Sequence, residues 1–139
     1  MINKSNLIGR AGEYRVASEL LLRGFNPAIK SVDDGIDLIL DMGTTVQVKS
    51  VSAKASKNAY YVTLATSRWS KGIQTKEKQS LKADFLIVWV IPEDKFFIIP
   101  REKIGSHIGV CVNPLPGKHY HEFLDNWKIL HAQKEGATT

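Results

Sequence analysis

An α/β domain with an α-β-β-β-α-β core is the fold the sequence predicts, and three patterns predict it. Apolar residues recur at helical spacing near the start of the chain. They then cluster in short runs rich in β-branched and aromatic residues, with turn residues between the runs. The longest apolar run, Phe85-Leu-Ile-Val-Trp-Val-Ile91, is seven residues ended by Pro92. That suits a strand buried on both faces and falls far short of the roughly 20 residues of a membrane span. With 139 residues, 43% of them apolar and 24% charged, the chain has the size and composition of one globular domain, 1–139.

The elements follow in order. From about Asn3 to Arg23, Leu7, Ala11, Val16, Ala17, Leu20 and Leu21 recur at helical spacing, and Gly24 is placed to end the helix as its C′ residue. Pro27 and residues 30–35 read as a loop. Ile36–Asp41 and Thr45–Val51 read as two strands joined at Met42-Gly43-Thr44, which makes a hairpin. Residues 52–58 are a polar loop, and Tyr60–Leu64 is a third strand that would complete a meander. Residues 66–83 predict a loop containing Trp69 and Gly72, with a short helix from Thr75 to Leu81. Ala83–Ile91 is too rich in β-branched and aromatic residues to prefer helix, and Lys95–Ile99 pairs with it across Pro92-Glu93-Asp94. Pro100–Ile104 reads as one helical turn and 105–118 as irregular. His119–His131 predicts a helix with a stripe of Tyr120, Phe123, Leu124, Trp127 and Leu130.

The net charge of +5 is concentrated. Residues 31–48 contain Asp33, Asp34, Asp37 and Asp41 and no cation, for a charge of −4. Residues 49–82 contain eight cations against Glu77 alone, for a charge of +7. A polyanionic partner is the natural expectation, set against a merely solubilising face. The start of the chain has no signal-peptide pattern, so a cytoplasmic location without a membrane is expected. The single cysteine, Cys111, leaves no internal disulfide and no thiol cluster for zinc.

Glu13 is anomalous. Its helical neighbours at i+3, i+4 and i+7 are Val16, Ala17 and Leu20, so its carboxylate lies on the core-facing stripe and calls for a cation. Asp37 interrupts an apolar strand near its start. Gln47 and Lys49, two apart, share one face of the next strand, with Val46, Val48 and Ser50 on the other. Asp37 joins the face of Gln47 and Lys49 only if the hairpin loop is odd-numbered or bulged. Gly9 and Gly12, one turn apart inside the helix, would be explained by a close approach to the backbone by DNA or by a partner subunit.

The order Glu13, Gly35-Ile-Asp37 and Gln47-Val-Lys49 resembles the PD-(D/E)xK nuclease superfamily. Gly9-Arg-Ala-Gly-Glu13 with Leu20-Leu-Leu-Arg-Gly-Phe25 is similar to the first helix of its archaeal Holliday-junction-resolvase and group I intron-endonuclease branches. Lys82–Trp89 and Phe96–Pro100 look like later strands of such enzymes. The resemblance implies a restriction-endonuclease-like core, a mixed sheet flanked by helices. It implies a metal-dependent endonuclease acting on duplex or branched DNA, of resolvase, homing or restriction type. Glu13, Asp37 and the Val48 carbonyl would hold Mg²⁺, with Mn²⁺ as substitute, and Lys49 would act as base, water-orienting group or transition-state stabiliser. Gln47 departs from the usual acidic residue. An amide oxygen contributes no charge, so metal binding should be weaker, and a DNA-binding module of the same fold without catalysis is the alternative.

Arg68, Trp69, Lys71, Lys76, Lys78 and Lys82 are the DNA-binding candidates, the cations for phosphates and Trp69 for stacking on a base. Trp69 as a core cap and Asp34 as a solvated loop residue are the plainer readings of those two. His119-x-His121 and His131 read as surface residues rather than metal ligands. Cutting two strands needs two active sites, so a homodimer or a dimer of dimers is expected.

Overall fold

The computed structural model describes residues 3–30, 35–64, 66–70, 73–77 and 81–137, with the backbone alone for 66–70, 73–77 and 134–137. Helix α1 spans Lys4–Leu22. Asn3 caps it by accepting the Ser5 N–H at 2.8 Å. At the other end the Phe25 N–H donates to the Leu20 carbonyl and the Gly24 N–H to the Leu21 carbonyl, with Gly24 at φ +94°. This is a Schellman closure with glycine at C′, as the sequence predicts, and its Leu20 and Phe25 are both buried.

Five strands form the central sheet, in the order β1 (Ala28–Ile29), β2 (Leu38–Ile39), β3 (Thr45–Val51), β7 (Phe85–Val90) and β8 (Lys95–Pro100). Only β3 and β7 run parallel, so the sheet is mixed. Its strands are apolar on both faces because both faces are covered. On one side Val16, Ala17 and Leu20 of α1, with Trp127 and Leu130, pack on Leu38, Val46, Val48, Phe85, Ile87 and Ile98. On the other, Tyr60 and Val62 of β4 (Tyr60–Thr63) with Val110 and Val112 of β9 (Gly109–Val112) pack on Leu86, Val88, Val90 and Ile99. The predicted fold class holds, as does the second hairpin, β7–β8. One helical turn, α2 (Arg101–Ile104), follows β8. No helix among the described residues is long and apolar enough to cross a membrane.

Four local expectations are corrected. The third strand does not extend a meander: β4 pairs antiparallel with β9, inside the segment read as irregular, because β3 gives its far edge to β7. Of the helix expected over Thr75–Leu81, residues 75–77 belong instead to β6 (Ile73–Glu77), antiparallel to β5 (Thr66–Ser70), and residues 78–80 lie outside the described residues. Thr66, Ile73 and Thr75 favour strand; Lys71 and Gly72 lie outside the described residues. The His119–His131 helix is divided into a 3-10 turn at His121–Phe123 and helix α3 at Lys128–Ala137. Asp125, at φ +50°, breaks it. Its N–H donates to the Phe96 carbonyl at 2.6 Å and its carboxylate accepts the Phe96 N–H at 3.0 Å, which closes the outer edge of β8. The loop read over residues 30–35 is preceded by β1, which no sequence period announces.

Candidate active site

The site begins with the parity of one loop. Leu38 pairs with Val46 and Ile39 with Thr45, and the Leu40 N–H donates to the Thr44 carbonyl at 2.8 Å, closing a loop of Asp41, Met42 and Gly43. Gly43 sits at φ +89°, the left-handed residue that a three-residue hairpin loop requires. The odd loop meets the condition the sequence left open, and Asp37, just before the paired Leu38, lines one groove with Gln47 and Lys49.

Strand β2 is only two residues long, and at its start the Asp37 side chain replaces the ladder. The Asp37 N–H donates to the Val46 carbonyl at 2.9 Å, and its Oδ2 accepts the Val48 N–H at 2.7 Å. A short N–H···O⁻ bond of this kind holds a carboxylate firmly. In a strand a residue's N–H and C=O point to the same edge, so the Val48 carbonyl faces this notch beside Asp37. On the other flank the Lys30 N–H donates to the Asp37 carbonyl at 2.9 Å.

Helix α1 supplies Glu13 from the opposite layer. Gly12 lets it: a Cβ there would overlap the Ser50 hydroxyl and stand 3.2 Å from Ser50 Cβ. That seating corrects the expectation for Gly12, since the close neighbour is this chain's own β3 and not DNA or a partner subunit. Gly9 has nothing within 4 Å of an added Cβ and opens onto the groove instead. A groove of about 1150 Å³ runs round the open edge of β3 and brings Glu13, Asp37, Gln47, Val48 and Lys49 together, all half-buried except the buried Val48.

These groups offer two carboxylates, an amide oxygen and a backbone carbonyl, with no sulfur or imidazole lining the groove. Hard oxygen donors of that kind fit Mg²⁺ or Mn²⁺. No cluster of three or more His, Cys, Asp or Glu occurs among the described residues, so charge at this site comes from Glu13 and Asp37.

Three groove residues escape the sequence reading. Arg10 lies one turn before Glu13 and Tyr14 directly follows it; both line the groove. Arg10 at i−3 was a usable signal. Lys30 is set beside Asp37 by its bond to the Asp37 carbonyl and lines the groove, and nothing in the sequence marks a two-residue strand. Of the DNA-binding candidates, Lys82 is exposed and its carbonyl accepts from Arg101 at 2.9 Å. Arg68 and Trp69 lie on β5, where Arg68 pairs with Thr75 and Trp69 with Gln74, and Lys76 lies on β6 opposite Ser67. Lys71, Lys78 and Asp34 fall outside the described residues. His119 is exposed and stacks edge-on against Tyr120.

No family model and no curated protein matches the sequence. Among solved structures, a bacterial homing endonuclease, I-Ssp6803I, superposes with a TM-score of 0.82 at 16% identity, over 99% of this chain and 99% of that one. The two chains share one fold. A second structure, MepB, aligns at a TM-score of 0.43 and 16% identity, over 77% of this chain and 94% of that one.

Proposed function

We propose that this chain is a divalent-metal-dependent DNA endonuclease of the PD-(D/E)xK type. The observation that carries the reading is the notch at the edge of β3. There Asp37, Gln47, the Val48 carbonyl and Lys49 meet Glu13 from the opposite layer. The fold shared with I-Ssp6803I supports this and favours a homing enzyme over a resolvase or restriction enzyme.

In this reading Glu13, Asp37 and the Val48 carbonyl would hold Mg²⁺ or Mn²⁺, with Gln47 flanking them. When bound, the ion would supply an activated water and offset charge on the phosphate. The protein's own part is position and charge. Asp37 is locked on the Val48 N–H, so its free oxygen keeps one direction through the reaction. Lys49, one residue beyond Val48, donates to the phosphoryl oxygens as they gain charge. Arg10 and Lys30 lie along the groove and hold flanking phosphates without reading sequence. The β5–β6 ribbon carries Arg68, Trp69 and Lys76 and has the width that a major groove admits. Lys71, Lys78 and Lys82 add phosphate contacts. The enzyme acts in the cytoplasm as a homodimer or a dimer of dimers, one site per strand.

The test is incubation of supercoiled plasmid, linear duplex and a synthetic four-way junction with Mg²⁺ or Mn²⁺, with EDTA and Lys49→Ala as controls. Metal-dependent nicking or linearisation, lost in both controls, is expected. Absence of cleavage on every DNA overturns the reading, and saturable Mn²⁺ binding that depends on Asp37 separates an enzyme from an inert DNA-binding module.

A further inference from the structure

We propose that the solvent face of α1 is a self-association surface, on which a second copy of this chain lays its own α1 antiparallel about a two-fold axis at Tyr14. The core face of α1 is Gly12, Val16, Ala17 and Leu20. Straight across the helix, Leu7, Ala11, Tyr14, Ser18 and Leu21 follow at intervals of four, three, four and three residues, and every one is exposed. Leu7 is 49% exposed, Tyr14 57%, Leu21 57% and the adjoining Leu22 80%. A helix apolar on both faces is one that is covered on both. The intervals are those of a helix–helix seam.

The order of the stripe identifies the occupant. Large, small, large, small, large reads the same in either direction, so an antiparallel copy sets Leu7 against the partner's Leu21 and Tyr14 against the partner's Tyr14. Ala11 and Ser18 leave room for the backbones to approach. A two-fold interface needs such self-complementarity, and an unrelated partner does not. Tyr14 is also a wall of the groove, so this seating makes the two grooves meet at the axis. Four side chains at on the order of 100 Å² each bury roughly 800 Å² in all, below the roughly 1,200 Å² of a stable specific interface, which makes the pair weak and concentration-dependent. The surface is the one the dimer of the endonuclease reading requires, but its test is independent of cleavage.

Sedimentation of the full chain across a concentration series should show a monomer–dimer equilibrium, and the exposed substitution Leu21→Glu should weaken it about tenfold or more with the far-ultraviolet circular dichroism and melting unchanged. In a Cys111→Ser background, a short bis-maleimide should cross-link Tyr14→Cys copies to each other. It should join Leu7→Cys to Leu21→Cys in a mixture, and neither of these to itself. A chain that stays monomeric, a dimer indifferent to Leu21→Glu, or self-linking of Leu7→Cys overturns the proposal. So does a monomer that instead partitions through Leu21 onto phosphatidylglycerol vesicles, since that assigns the face to a lipid surface.

Discussion

Replacing Gly12 by alanine drives a methyl group into Ser50, and the consequence can be worked from three contacts. The new Cβ overlaps the Ser50 hydroxyl, stands 3.2 Å from Ser50 Cβ and 3.6 Å from the Trp89 ring. The hydroxyl has no hydrogen-bond partner among the described residues, so it can turn away without losing one. Ser50 Cβ cannot turn, and a 3.2 Å contact forces helix and strand apart by a few tenths of an ångström. Overpacking of this kind costs about 1–3 kcal/mol. Against it stands the gain of about 1 kcal/mol from exchanging Gly for Ala inside a helix. The net loss is about 0–2 kcal/mol. Gly9, with open space around an added Cβ, keeps only the gain. Two chemically identical substitutions one turn apart should therefore differ by about 1–3 kcal/mol, which at roughly 3–5 °C per kcal/mol is plain in a thermal melt. Ser50→Ala should relieve part of the loss, giving a coupling of about 0.5 kcal/mol or more in a double-mutant cycle. Because Glu13 follows Gly12, Gly12→Ala should also slow cleavage beyond its effect on stability. Equal rises in Tm for Gly9→Ala and Gly12→Ala, or no coupling to Ser50→Ala, would refute the close seating of α1 on β3.

Asp37→Asn should abolish saturable Mn²⁺ binding and lower cleavage at least a hundredfold. It exchanges a charged for a neutral acceptor at the Val48 N–H and should cost only about 1 kcal/mol of stability by urea titration. Lys30→Ala should weaken DNA binding and reduce the salt slope of log K by about 1 while Mn²⁺ binding persists; an unchanged slope would remove Lys30 from the phosphate contacts. The hydrogen bonds from Arg15 and Trp89 hold the Asp94 carboxyl below the usual carboxylate range. A depressed native pKa contributes stability that is present above about pH 4 and fades as pH falls through the native value, so Asp94→Asn should flatten the acid limb of a urea-midpoint profile. Burial raises the Tyr60 phenol, helped by Glu93. A raised native pKa contributes stability that is present below about pH 10 and is lost as pH rises above it, so Tyr60→Phe should flatten the alkaline limb.

Much of this was legible in the sequence, for reasons that differ by element. Helix α1 carried its own signals, a cap at Asn3, a core stripe and Gly24 at C′, and all are local. The β7–β8 hairpin followed from one apolar run and a proline turn. The pairing of β4 with β9 was not legible, because Val62 and its partner Val110 stand 48 positions apart and nothing local distinguishes a strand that adds to an edge from one that lies across a face. The β5–β6 ribbon was misread because Gln74, Lys76 and Glu77 favour helix as readily as strand, while the pairing of Thr66 with Glu77 only appears between the two strands. At the site, Glu13, Asp37, Gln47 and Lys49 stood out as polar residues on apolar elements. Lys30 did not, because its place depends on a two-residue strand held by its neighbour and by no propensity of its own.

The conspicuous residues share a cause with the core. The register that sends Leu38 and Leu40 to the α1 side, at 0% and 2% exposure, also sets the Asp37 carboxylate on the Val48 N–H, in the groove with Gln47 and Lys49. Slipping β2 by one residue would take Asp37 off that N–H only by turning both leucines out of the α1 side. At about 1.5–3 kcal/mol for each buried leucine, that slip costs about 3–6 kcal/mol, a large part of the stability of a domain this size. The carboxylate is therefore held twice, once by its bond to the Val48 N–H and once by leucines that never touch the groove. The early end of β2 completes the arrangement. Had the strand continued, a backbone carbonyl would accept the Val48 N–H, and the Val48 carbonyl would be taken up in the ladder instead of facing the notch. Two missing ladder positions, an odd loop and a glycine on the facing helix together give a buried sheet an edge at which oxygen donors from both of its layers can meet.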